Sequence, residues 1–183
     1  QHIIGSRWLT ITATNSGTST MRWFRDTFFR AETEYAQANG KSVHQIIDRM
    51  AEGVPPGSEG LLFHPYLKGE RSPYWDPYLR GDFAGIAAHH TMGHFASAVL
   101  EGVAYSIRDC LRVVADIGEP ITRYTLIGGG SKSALWRRIL CDVLGQPLHR
   151  PRIESAAYGS ALLAGVATGV FASWSQAVHE CVR

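Results

Sequence analysis

Between Thr91 and Gly118, apolar side chains return every three to four residues: Phe95, Val99, Leu100, Val103, Ile107, Leu111 and Val114. That spacing predicts a long helix, capped by Thr91, with one buried face. Such a stripe needs a second layer to pack against, and the flanking sequence offers strands. "GLLFHPYL" (residues 60–67) is an apolar run bounded by glycine and proline, and "RYTLIG" and "PLHR" read as two further short strands. Ser133 to Leu144 reads as a helix closed by Gly145. Strand and helix alternate, which predicts an α/β fold.

The chain has 183 residues, 45% of them hydrophobic, enough for the core of one domain. Lysine and arginine outnumber aspartate and glutamate by 18 to 16, and no basic stripe marks a nucleic-acid footprint. Cys110, Cys141 and Cys181 lack a Cys-x-x-Cys spacing, so a disulfide framework or zinc site is not expected; reduced cysteines on helix faces favour the cytoplasm. Gln1 to Trp8 lack the pattern of a secretory leader. Residues 155–179 carry no acidic or basic side chain other than His179 and are long enough to span a bilayer. They are rich in small residues and broken by Thr168-Gly169, so two close-packed soluble helices are expected and no membrane span.

Residues 15–40 read as one helix, carrying Met21, Trp23, Phe24, Phe28 and Phe29 after a polar start. Ser42 caps the next helix, which closes at Gly53 before Pro55-Pro56-Gly57. The segment "KGERSPYWDPYLRGDFAGI" is too rich in proline, glycine and mixed charge for one regular element, and loops of that length are functional or packed on their own aromatics. Within it, Glu70, Arg71, Asp76 and Asp82 read as partners that fix the loop rather than as a catalytic cluster, with Asp76 forming a turn before Pro77 and Arg71 and Arg80 bridging to carbonyls or carboxylates; a supporting role at a cleft is the alternative. His89, His90 and His94 are not expected to bind metal, because a helix starting at Thr91 points the first two away from the third. Lys132 could reach a phosphate or stand solvated at the helix start, and Trp136 reads as core rather than as a stacking platform.

In "TLIGGGSKSALWRRIL" a strand runs through Gly128, Gly129 and Gly130 into a helix. Residues without Cβ let the main chain approach an anion or a flat ring closely, and a helix N-terminus favours negative charge. The spacing is neither a Walker loop nor a dinucleotide fingerprint. The triplet taken alone suits a tight turn with no ligand equally well.

Three stretches, in this order, resemble the C-terminal half of the FGGY family of carbohydrate kinases. The first is "YLKGERSPYWDPYLRGDFAGI". The second is the spacing of Gly81, Phe83, Gly85 and Ile86 before His94, Phe95, Ala98 and Glu101. The third is "IGGGSKSALWRRILCDVLGQPL" followed by "ESAAYGSALLAG". The resemblance implies an actin-like, ribonuclease H-like ATPase fold of two lobes with the nucleotide clamped between them. Residues 1–183 are similar to the C-terminal lobe alone, without the N-terminal sugar-binding lobe.

Carried over by position, Gly128, Gly129 and Gly130 would line the adenosine, with Gly130 closest. Ser131, Lys132, Ser133 and Ala134 would border the base and ribose; some members have asparagine where Ala134 stands. Gly17 matches a glycine that approaches the phosphates, and Met21 replaces a polar contact of some members. The implied cofactors are ATP and Mg2+, the metal held by the nucleotide and the other lobe. The general base would be an aspartate of that lobe, and no catalytic or metal-binding residue is assigned in this chain. The resemblance is strongest to the xylulokinase branch, which implies D-xylulose as acceptor, with gluconate, glycerol or another polyol as alternatives. A stand-alone actin-like module that binds nucleotide or a partner protein without catalysis is the competing reading. A lobe that exposes an apolar cleft face is expected to form a homodimer through it.

Overall fold

Helix α4 (Met92–Ile117) begins after Thr91 and ends before Gly118, and elements that precede and follow it in the chain pack against it. The computed structural model describes residues 9–118 and 121–182; the opening residues 1–8, where no secretory leader is expected, lie outside that range. Every residue of α4 from Ala96 to Ala104 is buried, small and charged residues included. Helices α1 (Thr18–Phe28), α3 (Val43–Glu52) and α5 (Ala134–Leu144) and strand β1 (Leu62–His64) enclose this half. Val99, Leu100 and Val103 of the expected stripe are buried, whereas Phe95, Ile107, Leu111 and Val114 are half-buried. From Leu111 to Asp116 no side chain is fully enclosed, so the helix leaves the core.

The N-terminus of α4 is closed by a capping box with histidine as the distal residue. Thr91 donates its N–H to His94 Nδ1 at 3.0 Å, while His94 Nε2 lies 3.2 Å from the Glu59 carboxylate. The imidazole substitutes for the glutamate that commonly fills this place.

Strand β1 is shorter than the apolar run predicts. It pairs antiparallel with β2 (Asp82–Ala84) through Leu62↔Ala84, Phe63↔Phe83 and His64↔Asp82. Pro65 has no N–H to continue the ladder, and only Phe63 of the three residues points inward. On the buried side Phe63 stacks on Trp23 at a centroid distance of 6.1 Å and meets Phe83 in a tilted contact at 4.6 Å, and Phe83 meets Phe95 edge-on at 5.0 Å. The second sheet pairs β3 (Tyr124–Thr125) in parallel with β4 (Leu148–His149), with α5 as the crossover.

The single helix expected over residues 15–40 is two helices, α1 and α2 (Arg30–Ala38), broken at Phe29. Adjacent residues on a helix point about 100° apart, so Phe28 and Phe29 cannot both follow Phe24 into the core. The break, with Phe29 at φ −121° and ψ 41°, turns that ring inward; Phe24 and Phe29 are fully buried and Phe28 stays 43% exposed.

Residues 155–179 form the two expected helices, α6 (Ala156–Ala167) and α7 (Trp174–Cys181), with the turn at Thr168-Gly169. None of the described helices is long and apolar enough to cross a membrane. Helix α6 is apolar on all sides, yet none of its described side chains is fully buried. A helix of that composition calls for a covering surface.

The tightest packing lies where α4 crosses β1: a Cβ placed on Gly102 would sit 2.2 Å from the Phe63 carbonyl oxygen. Glycine in a helix interior ordinarily destabilises by about 1 kcal/mol relative to alanine. Here the sign reverses. Gly102→Ala should lower the unfolding free energy by about 2–3 kcal/mol, read by denaturant titration, because strand and helix must move apart to admit the methyl group.

Candidate functional site

The chain leaves β3 through Leu126, whose N–H donates to His149 O at 2.8 Å, and enters the glycine turn. Gly128 has φ 91°, in the region where a side chain is strained. Residues Gly129–Lys132 form one 3₁₀ turn, and α5 follows with Ser133 as its N-cap, Oγ accepting from Trp136 N–H at 3.0 Å. A Cβ on Gly130 would lie 3.0 Å from the Trp136 ring, which packs against the core as expected. A Cβ on Gly129 would meet nothing within 4 Å. Gly128 is therefore favoured by its positive φ and Gly130 by close contact with Trp136, while Gly129 leaves the surface open.

The carried-over residues divide by exposure. Gly128, Gly129, Gly130, Lys132 and Ala134 are exposed, and Ser133 is half-buried. Ser131 is fully buried, with its hydroxyl 2.8 Å from Gly128 O and 2.5 Å from Glu154 Oε2. It holds the turn from inside. Glu154 also accepts the Gly128 N–H at 3.1 Å and pairs with Arg150. Bonding from Ser131 first, and then from Arg150, holds the Glu154 carboxyl below the usual carboxylate range. On the other side, burial pushes the carboxyl of Asp48, on α3, up, and the neighbouring Ser133 hydroxyl works against that shift. Neither Glu154 nor Asp48 stands out in the sequence; Glu154 acts on the turn from an element distant in sequence, and Asp48 lies beside Ser133.

Beside Gly128 opens a mainly apolar cleft of about 420 Å³, walled by Ile127, Ile153, Tyr158 and Leu162. A larger cleft, about 590 Å³, lies between β1 and the second half of α4 and contains none of the carried-over residues.

Gly17 is the N-cap of α1, and a Cβ there would meet nothing within 4 Å. The turn before it is organised by Glu70, which is only 3% exposed. Its carboxylate accepts from Thr14 Oγ1 at 2.6 Å, Asn15 N at 2.7 Å, Ser16 Oγ at 2.8 Å and Arg71 N at 2.8 Å. Met21 packs against the core. Among the described residues no hydrogen bond joins the Gly17 turn to the Gly128 turn; α4, packed against both α1 and α5, is their shared support.

In the long loop, Asp76 Oδ1 accepts from Tyr78 N at 2.7 Å across Pro77, and Arg80 donates to the carbonyls of Pro77 and Leu79, as expected. Asp82 pairs with His64. Arg71 departs from the expected bridging role: its guanidinium lies 5.9 Å from the centroid of the Trp75 ring. His89, His90 and His94 do come together, with ring centroids 4.3 to 6.1 Å apart, over Glu59. Their separation along the chain is overcome by the turn His90 N→Ala87 O and by the capping role of His94. No group of His, Cys, Asp and Glu among the described residues is placed to hold a metal ion.

The depressed Glu154 carboxyl makes the turn acid-sensitive. A lowered folded-state pKa contributes stability above the ordinary value, 4.5, that is lost as the pH falls through the folded value. Glu154→Gln should therefore flatten the acid limb of the melting-temperature profile below about pH 4.5, with Arg150 and Ser131 unchanged.

Comparison with known proteins places this geometry. The C-terminal domain of the FGGY family of carbohydrate kinases matches residues 2–168. The gluconokinase of Bacillus subtilis (strain 168) is 37% identical over 164 residues, covering 88% of this chain and 32% of the relative. A xylulose kinase of Staphylococcus epidermidis is 32% identical over 183 residues, covering 100% of this chain and 34% of the relative. Among solved structures, ligand-bound xylulose kinase from Lactobacillus acidophilus superposes with a TM-score of 0.79 at 26% identity, over 93% of this chain and 33% of that one. Xylulose kinase from Rhodospirillum rubrum gives 0.72 at 32% identity, over 90% and 32%. The chain thus spans about a third of the length of these relatives. It belongs to the FGGY family of carbohydrate kinases, as a C-terminal domain with the actin-like ATPase fold.

Proposed function

We propose that this chain is the nucleotide-binding lobe of an ATP-dependent, cytoplasmic carbohydrate kinase of bacterial type. The observation that carries the reading is the exposed Gly128–Gly130 turn at the start of α5, with open space over Gly129. The N–H groups of Gly129 and Gly130 carry no hydrogen bond among the described residues, and Lys132 is exposed in the same turn. Donors, a helix N-terminus and a neighbouring apolar cleft fit a nucleotide whose base is flat and whose phosphates are anionic. Bound Mg-ATP supplies the γ-phosphoryl group that is transferred to a sugar hydroxyl.

In this reading Gly128, Gly129, Gly130 and Ala134 present backbone and small surface to adenosine, and Ser131 and Ser133 hold that surface in shape. Lys132 adds positive charge, and Gly17 leaves room for the phosphates. The base that accepts the hydroxyl proton belongs to a second lobe, as do most contacts to the sugar. The acceptor we assign is D-xylulose, with D-gluconate and glycerol as the competitors carried by the names of the relatives. Helix α6 and the cleft face are surfaces for that second lobe, or for another copy of this chain where the lobe is absent.

Calorimetric titration of this chain with ADP should give a binding isotherm that Gly129→Val abolishes. Gly129 is the clean position, since Gly130→Val also drives into Trp136 and confounds binding with folding. No heat from the unaltered chain would sink the reading of an already formed seat. In the intact kinase, D-xylulose should give the highest kcat/KM among D-xylulose, D-gluconate and glycerol; a higher value for another acceptor would reassign the substrate.

A further inference from the structure

Trp75 occupies an unusual place in the loop between β1 and β2. Its φ is +48°, a left-handed conformation that bulky residues rarely adopt, and its side chain is 74% exposed. Burial of the indole does not account for the strain, since the ring faces solvent. The segment is nevertheless firmly braced. Trp75 N–H donates to Arg71 O at 2.9 Å, and Glu70 and Asp76 exchange both backbone hydrogen bonds at 2.8 and 2.9 Å. A Cβ on Gly69 would sit 2.7 Å from the Pro77 backbone, so the two sides of the loop are in close contact. Strained backbone that persists on a braced loop marks functional positions more often than structural ones.

One face of the indole carries the Arg71 guanidinium, 5.9 Å from the ring centroid. That guanidinium makes no hydrogen bond among the described residues, so its donors remain for a ligand. An apolar ring with free planar donors over one face leaves the other face to a polyhydroxylated molecule, whose C–H face stacks on an aromatic ring while its oxygens accept hydrogen bonds.

The loop is also tied to the Gly17 turn. Ser72 N–H donates to Ala13 O at 3.2 Å, Ala13 N–H donates to Ser72 Oγ at 3.2 Å, and Glu70 gathers Thr14, Asn15 and Ser16. The Trp75 platform therefore stands on the same rigid unit as the glycine assigned to the phosphates.

We propose that Trp75 and Arg71 form a binding platform for the sugar acceptor, with the indole under the C–H face and the guanidinium on hydroxyl or carboxylate oxygens. The proposal rests on the nucleotide-lobe reading above, because it is the phosphate side of that lobe that the acceptor must reach.

The test uses the intact kinase carrying this domain, with Trp75→Ala, Trp75→Phe, Trp75→Gly and Arg71→Gln. Trp75→Ala and Arg71→Gln should each raise the acceptor KM by about tenfold with the ATP KM unchanged, and Trp75→Phe should recover most of the loss. Trp75→Gly relaxes the backbone, so it should raise the melting temperature while losing acceptor affinity as Trp75→Ala does. An active enzyme in which Trp75→Ala leaves the acceptor KM unchanged overturns this inference alone. A fall in melting temperature for both Trp75→Ala and Trp75→Gly also overturns it, since the ring would then be packed against another part of the protein. An unaltered enzyme that transfers phosphoryl groups to no polyol overturns the nucleotide-lobe reading and this inference together.

Discussion

A carboxylate withdrawn from water costs several kcal/mol unless donors replace its hydration, and Glu70 is withdrawn almost completely. Its four donors come from two separated stretches, residues 14–16 and Arg71. Satisfying one charge therefore fixes the polar turn before α1 and the start of the long loop in a single arrangement. That coupling brings the Gly17 turn and the Trp75 loop into one unit.

Glu101 acts in the same way at the other end of the loop system. It is 5% exposed and accepts from Gly57 N at 2.7 Å and Ser58 Oγ at 2.9 Å. It thereby holds residues 57–60, all of which have positive φ, against α4. Strain in that loop is offset by a buried charge on the helix, and the loop in turn carries Glu59 to the capping box at Thr91 and His94. The two carboxylates explain how a domain whose described strands are short keeps long irregular segments in place.

Much of the architecture was legible because it depends on neighbours in sequence. The limits of α4 and α5 follow from Thr91, Gly118, Ser133 and Gly145, whose capping and terminating roles are local. The break between α6 and α7 at Thr168-Gly169 is local too. The glycine turn was visible as a turn, and its family resemblance supplied the expected ligand. Three things were not legible. The break at Phe29 depends on which aromatic ring the core admits; the short reach of β1 depends on where β2 can pair; and the envelopment of Ala96–Ala104 depends on how many elements converge on one helix.

The amino-acid sequence by itself determined the order and kind of the elements, the position of the glycine turn and the family, because caps, apolar periodicity and motif spacing act over a few residues. Only the tertiary structure decided which glycines are constrained by conformation or contact, that Ser131 faces inward, and that Glu154 and Glu70 support the site. Those roles belong to contacts between residues 23 or more positions apart, as for Ser131 with Glu154 and 54 for Ser16 with Glu70. A buried polar group finds whichever partner the fold brings to it, and no local pattern in the chain announces that partner.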